Sequence, residues 1–128
     1  MRVLIDTHAA LWWDVADERL SERVRGLLRD PLTEVAFSVA SAWEIATKAS
    51  RGTIELAAPV ERYLPKRIAQ YRWTPLAITV EHAIRAAVLP RIHADPFDRL
   101  LIAQAQIEGI PLVTTDAAIT RYDVETIW

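Results

Sequence analysis

Short apolar runs alternate with amphipathic stretches along the 128 residues, without a linker, an internal repeat or a low-complexity segment. The runs predict β-strands at residues 2–5, 34–37, 73–78, 112–114 and 124–127. The stretches between them carry apolar residues at helical spacing. This alternation predicts one α/β domain over residues 1–128, built as a three-layer α/β/α sandwich around a mainly parallel sheet.

Capping residues and prolines set the predicted helix limits. Ser38 and Thr79 are good N-caps, and Asp95 followed by Pro96 is a strong helix start. Pro65 is expected to kink or split the helix that contains it. The predicted helices cover residues 7–15, 17–30, 38–52, a region that opens at residue 59, and residues 79–89, 95–109 and 117–122.

Composition excludes several classes of protein. The chain has no cysteine, which rules out disulfides, thiolate metal sites and a cysteine nucleophile. Its net charge of −2 gives no global basic field, so a polyanion must be held locally. No apolar run approaches a membrane span and no signal peptide is recognisable, so we expect a cytoplasmic protein without a membrane partner.

Two aspartates follow predicted strands directly. Asp6 comes after the run Val3–Ile5 and Asp116 after residues 112–115, so both are expected at the carboxyl edge of the sheet, where α/β proteins bind ligands. Ionised carboxylates repel one another unless a cation neutralises them, and Mg²⁺ is the usual one. The sequence therefore predicts phosphate chemistry at this edge.

Two further acids have both a structural and a functional interpretation. Asp98 is able to complete the cap of its helix with Asp95, but it lies above an apolar stripe that points it toward the sheet. Glu44 is able to form an ordinary exposed ion pair with Lys48 one turn later, yet it lies in the first two turns of a helix that follows a predicted strand, beside Ser38 and Ser41. Taken together, the four acids favour a common site.

The remaining candidates are weaker. His8 forms an Asp-x-His pair with Asp6, but the other elements of a dinuclear phosphoesterase are missing, and His82 and His93 are more often structural at such positions. Three glycines are too few for a Walker A loop or a dinucleotide fingerprint. Trp12 and Trp13 are adjacent on one helix, so one of them should be partly exposed unless another chain covers it.

Four segments together resemble a known family. They read LIDTH at residues 4–8, SVASAWEI at 38–45, HADPFDRLLIAQA at 93–105 and LVTTD at 112–116. This combination resembles the PIN domains of VapC-type toxins and extends over essentially the whole chain. The resemblance implies a PIN-like fold and an endoribonuclease that uses Mg²⁺ or Mn²⁺ held by Asp6, Glu44, Asp98 and Asp116. Thr7, Ser41 and Thr114 match small hydroxyl positions near the site in that family.

The resemblance also implies partners. They are an RNA substrate, a VapB-type antitoxin and a second copy of the chain in a homodimer; the tryptophan pair and Leu11 are the apolar surface expected to receive the antitoxin. A different metal-dependent phosphoesterase, or a structure-specific DNA nuclease, is able to use the same acids. A non-catalytic PIN-like scaffold is the third alternative, and the presence of all four acids argues against it.

Overall fold

A single five-stranded sheet forms the centre of the computed structural model, which describes residues 1–128. The strands are β1 (Arg2–Ile5), β2 (Glu34–Ser38), β3 (Thr74–Leu76), β4 (Leu112–Val113) and β5 (Thr126–Ile127). They lie in the order β3-β2-β1-β4-β5, and every neighbouring pair is parallel. The predicted parallel sheet is therefore confirmed. From β1 the chain adds β2 and β3 on one side of the sheet, and it then crosses back to add β4 and β5 on the other side of β1. The direction of winding therefore reverses between β1 and β4.

Six helices cover the sheet: α1 (Thr7–Asp14), α2 (Glu22–Arg29), α3 (Val39–Ser50), α4 (Val60–Tyr71), α5 (Val80–Val88) and α6 (Pro96–Glu108), with a 3₁₀ turn at Ile119–Arg121. Because alternate strand residues face opposite sides, two apolar cores form. Val3 and Ile5 belong to the core that α1 to α4 cover. Leu4 belongs to the other core, with Leu101 and Ile102 of α6. The three-layer α/β/α sandwich is thus confirmed.

Several predicted limits were wrong, and local chemistry explains them. The helix predicted from Asp17 begins only at Glu22, because Ser21 caps it by accepting a hydrogen bond from the Val24 amide. Asp17 instead binds the Arg19 guanidinium and amide in a tight turn. The strands predicted at 73–78 and 124–127 and the helix predicted at 117–122 are shorter than expected.

Pro65 does not split its helix, since α4 continues from Val60 to Tyr71. Proline removes the hydrogen bond to the carbonyl of Glu61, four residues earlier. Both residues are exposed, so water can satisfy that carbonyl. None of the helices combines the length and the apolar character that are needed to cross a lipid bilayer.

Candidate active site

The carboxyl ends of β1 and β4 each lead into an aspartate whose carboxylate accepts a hydrogen bond from a backbone amide further along the chain. Asp6 follows β1 and accepts a 2.7 Å hydrogen bond from the Ala9 amide of α1. Asp116 is the third residue after β4 and accepts a 2.8 Å hydrogen bond from the Ala118 amide. Since β1 and β4 pair with each other, the two carboxylates come to the same edge of the sheet. This is the location that the sequence predicts for both acids.

Asp98 reaches the same place from α6. Asp95 is the N-cap of this helix and accepts hydrogen bonds from the Phe97 and Asp98 amides, as its position before Pro96 predicts. Its carboxylate is therefore occupied by backbone amides. The Asp98 carboxylate makes no such bond and instead lies 2.8 Å, through Oδ2, from Nε2 of His93. The geometry thus gives the two acids of this turn different roles.

Burial and mutual repulsion make these carboxyl groups hard to ionise. Burial raises the pKa of Asp98 to about 6, with further upward contributions from Asp95, Glu44 and Asp116 that His93 partly offsets. The pKa of Asp6 is also raised, mainly by burial, and the charge of Asp116 adds to the effect while a hydrogen bond with Thr114 opposes it. The four predicted site acids are therefore close enough to act on one another electrostatically.

Glu44 is buried rather than exposed. It is on the second turn of α3, and its side chain is 2% exposed. Oε2 accepts a 2.7 Å hydrogen bond from Nζ of Lys48, so the pair with Lys48 that the sequence allows does form. Oε1 is buried without any hydrogen-bond partner. An unpartnered buried carboxylate oxygen is costly, and its cost is removed if a cation or a water binds there.

The three hydroxyl residues that match the family pattern are buried, and each lies close in sequence to one of the acids. Thr7 donates a 2.9 Å hydrogen bond to the hydroxyl of Ser41, and both are buried. Thr114 is buried too, and its hydroxyl oxygen accepts a hydrogen bond from the Asp116 amide. These contacts join α1 to α3 and tie Thr114 to the segment that carries Asp116. The hydroxyl groups therefore help to hold in place the segments that carry the acids.

The three histidines have different environments. His8 is exposed, and His82 is buried as part of a capping box, in which the Thr79 amide donates to its Nδ1. His93 lies in the site: the ligand atoms of His93, Asp98 and Asp116 are all within 4.8 Å of one another. Sequence reasoning treated His93 as more often structural and gave it little functional weight. The only local signal for it was its position two residues before the N-cap of α6.

This donor set suits a hard divalent cation. Carboxylate oxygens are the ligands that Mg²⁺ and Mn²⁺ prefer, and the raised pKa values and the unpartnered Oε1 of Glu44 both indicate missing positive charge. One ligand atom each of Asp98, Asp116 and His93 lie within 4.8 Å of one another. The residues therefore fit a metal-binding site.

The sequence matches the PIN domain family over residues 3–125. The chain belongs to the PIN-domain family. A curated relative of this PIN domain is Ribonuclease VapC22 of Mycobacterium tuberculosis (strain ATCC 25618 / H37Rv), which is 36% identical over 121 residues, or 94% of this chain and 91% of the relative. The PIN domain described here is thus a homologue of a VapC ribonuclease, and the family resemblance is confirmed.

Solved structures show the same fold. The structure of VapBC2 from Rickettsia felis bound to a promoter DNA fragment includes a chain that superposes with a TM-score of 0.75 at 14% identity, covering 100% of this PIN domain and 99% of that chain. DNA-bound VapBC from Salmonella typhimurium gives 0.71 at 17% identity, with 99% and 97% covered. At these identities the similarity concerns the fold alone.

Proposed function

We propose that this PIN domain is a metal-dependent endoribonuclease and the toxin of a toxin–antitoxin pair. The observation that carries the proposal is the convergence of Asp6, Glu44, Asp98 and Asp116 at one edge of the sheet, with one buried carboxylate oxygen lacking a partner. The ribonuclease homologue supports RNA as the substrate. An enzyme of this kind acts where RNA is accessible, so we place it in the cytoplasm.

The proposed roles follow from the positions of the acids. Asp6, Asp98 and Asp116 hold Mg²⁺ or Mn²⁺, and Glu44 orients the attacking water or contacts a second ion. A bound divalent cation lowers the pKa of a coordinated water and stabilises negative charge on the phosphate during in-line displacement. The hydroxyl groups of Thr7, Ser41 and Thr114 support the acids through the contacts described above.

Substrate tests separate the alternatives. The purified protein should cleave RNA in the presence of Mg²⁺ or Mn²⁺ and lose this activity in EDTA. Single-stranded DNA and p-nitrophenyl phosphate, offered under the same conditions, should remain intact. Asp6→Asn keeps the shape of the side chain and removes its charge, so we expect a loss of at least roughly a hundredfold in rate. Full activity of this variant, or of the wild type in EDTA, argues against the metal mechanism.

A VapB-type antitoxin is the proposed partner, because the solved structures with this fold include toxin–antitoxin complexes. A hollow beside α1 offers apolar surface for it, lined among others by Leu11, Trp12, Val15, Ile54 and Leu56. Trp12 and Trp13 are both partly exposed. Trp12 packs on Trp128 and Trp13 on Tyr71, so neither ring is wholly free.

The partner proposal includes a homodimer and has its own test. Co-expression of an antitoxin gene from the neighbouring reading frame should restore the growth of cells that produce this protein. Light scattering after size exclusion should give the mass of a dimer for the toxin alone. The proposal would be contradicted if the protein were a monomer and if co-expression of the adjacent gene did not restore cell growth. Val15→Asp, on the exposed edge of the hollow, should weaken antitoxin binding without affecting cleavage.

A further inference from the structure

Three of the four polar groups of His93 are hydrogen-bonded to other parts of the chain, and the fourth, Nε2, faces the acids. Its backbone amide donates a 2.8 Å hydrogen bond to the hydroxyl of Tyr122, and its carbonyl accepts a 3.2 Å bond from the Arg99 guanidinium. Its Nδ1 accepts a 3.4 Å bond from the backbone amide of Asp95. Only Nε2 is left, and it points at the carboxylates.

Arg99 and Tyr122 fix the whole loop that carries this histidine. The Arg99 guanidinium donates to the carbonyls of Ala86, Leu89 and Pro90 as well as to that of His93. The Tyr122 hydroxyl donates to the Pro90 carbonyl and accepts from two loop amides. So many bonds to one short segment leave the backbone at residue 93 little freedom. The position of the imidazole is therefore set by the fold and not by the acids.

The 3.4 Å contact at Nδ1 favours the tautomer of His93 whose proton is on Nε2. An amide N–H donates only to a nitrogen that carries no proton, so in this geometry Nδ1 is the acceptor and the proton is on Nε2. Nε2 then donates to Oδ2 of Asp98 at 2.8 Å, with Oδ2 of Asp116 at 3.4 Å. A nitrogen that carries a proton has no lone pair for a metal. His93 thus faces the acids as a hydrogen-bond donor.

We propose that His93 is a positioning residue of the acidic site, which holds the Asp98 carboxylate through its Nε2–H, 3.4 Å from Asp116, without binding the metal itself. The contact fixes the side-chain orientation of Asp98, and it places a donor where two acids would otherwise only repel each other. Outer partners of this type usually change metal affinity or activity by roughly 10–100-fold when they are removed. The inference rests on the proposed metal-dependent function.

Metal affinity provides the first test, measured with Mn²⁺ alone by titration calorimetry on the full chain. His93→Ala should weaken Mn²⁺ binding by roughly tenfold or more. His93→Gln places an amide N–H donor near the position of Nε2 and should retain affinity within about threefold. The matched control is His82→Gln, because His82 also accepts a backbone amide bond at Nδ1 but belongs to α5 and its capping box. This control should bind Mn²⁺ as the wild type does.

Spectroscopy separates a positioning role from direct ligation. Electron spin-echo spectra of the Mn²⁺-loaded wild type should show no coupling from a directly bound histidine nitrogen, and such a coupling would overturn the proposal. Unchanged Mn²⁺ affinity of His93→Ala would also overturn it. If the wild type neither binds Mn²⁺ nor cleaves RNA, the proposed function fails. If the wild type does both and His93→Ala matches it, only the role of His93 fails.

The loop clamp gives an independent check. Tyr122→Phe removes the hydroxyl that holds the His93 amide and should weaken Mn²⁺ binding in the wild-type background. If Tyr122 acts through His93, the same substitution should have no further effect in His93→Ala, because the side chain that it positions is already absent. Equal effects in both backgrounds would show that Tyr122 acts on the site by another route.

Discussion

Nζ of Lys48 lies 2.7 Å from Oε2 of Glu44, one turn earlier on α3, and this short ion pair is the only hydrogen bond that the Glu44 carboxylate makes. The lysine side chain is 35% exposed while that of the glutamate is 2% exposed. A surface pair with this sequence spacing contributes little to stability. Here the carboxylate is buried, so the lysine matters more, because it partly neutralises Glu44 in the metal-free protein.

Lys48→Met should therefore destabilise the metal-free protein, because it keeps most of the apolar stem and leaves Glu44 buried without a cation. We expect a loss on the order of 1–3 kcal/mol in the free energy of unfolding, measured by urea denaturation in EDTA. Saturating Mn²⁺ should recover part of this loss, since a bound cation also neutralises the acids. Lys66→Met, on the exposed side of α4, is the control and should change stability little.

The two acids at the start of α6 should respond differently to loss of charge. Asp98→Asn should abolish RNA cleavage, because its carboxylate is the one that faces Asp116 and His93. Asp95→Asn should retain most activity, since an asparagine side chain still accepts hydrogen bonds from the amides at the helix start. Cleavage rates of both variants decide the matter: an inactive Asp95→Asn beside an active Asp98→Asn reverses the assignment.

The raised pKa of Asp98 predicts how stability depends on pH. Folding raises this pKa from 3.8 to about 6, so the folded state holds a proton that the unfolded chain has released between these values. This group therefore contributes stability below about pH 4 and loses it as the pH rises toward 6. In EDTA, Asp98→Asn should gain stability relative to the wild type, and the gain should be larger at pH 7 than at pH 4.

The size of that gain is limited by solvent. A full shift of about two pKa units corresponds to about 3 kcal/mol, but partial contact with water reduces it to on the order of 1 kcal/mol. Melting temperatures of the two proteins at both pH values provide the measurement. If the difference in melting temperature between the wild type and Asp98→Asn did not change with pH, the pKa of Asp98 would not be raised in the folded state.

Asp14, a half-buried acid outside the site, should affect stability without affecting the chemistry. Asp14, at the end of α1, accepts hydrogen bonds from the Tyr63 and Tyr71 hydroxyls of α4 and pairs with the Arg67 guanidinium. Tyr71→Phe should cost about 1.5–3 kcal/mol, the usual contribution of a hydrogen bond to a charged group. Mn²⁺ affinity should stay at the wild-type value. A strong loss of metal binding in this variant would mean that the α1–α4 contact shapes the acidic site.

The same acid gives a pH effect of opposite sign. Burial alone raises the pKa of Asp14, but the two tyrosine hydroxyls and Arg67 outweigh it and lower the pKa overall. Its stabilising contribution is therefore present above the unfolded value of 3.8 and is lost as the pH falls through the lower folded value. The free energy of unfolding of Asp14→Asn should approach that of the wild type as the pH is lowered from 7 to 3.

The sequence by itself determined the strands, their direction and the position of two acids. An apolar run followed directly by an aspartate places that aspartate at a carboxyl end, and parallel pairing brings such ends together, so Asp6 and Asp116 needed no tertiary information. The cap at Asp95 was equally clear, because the residue before Pro96 has few other backbone options. These features depend on neighbours within a few residues.

Only the tertiary structure decided which side chains are buried and what they contact. Glu44 and Lys48 have the spacing of a surface pair, but in the tertiary structure, where α3 packs against α6, α4 and β2, the glutamate is buried. Trp43, next to it, is 62% exposed and touches Phe97, although its sequence position gave no sign of that. His93 joins the acids because Arg99 and Tyr122 fold its loop toward them. Contacts between residues far apart in sequence leave no local pattern, which is why spacing alone could not reveal them.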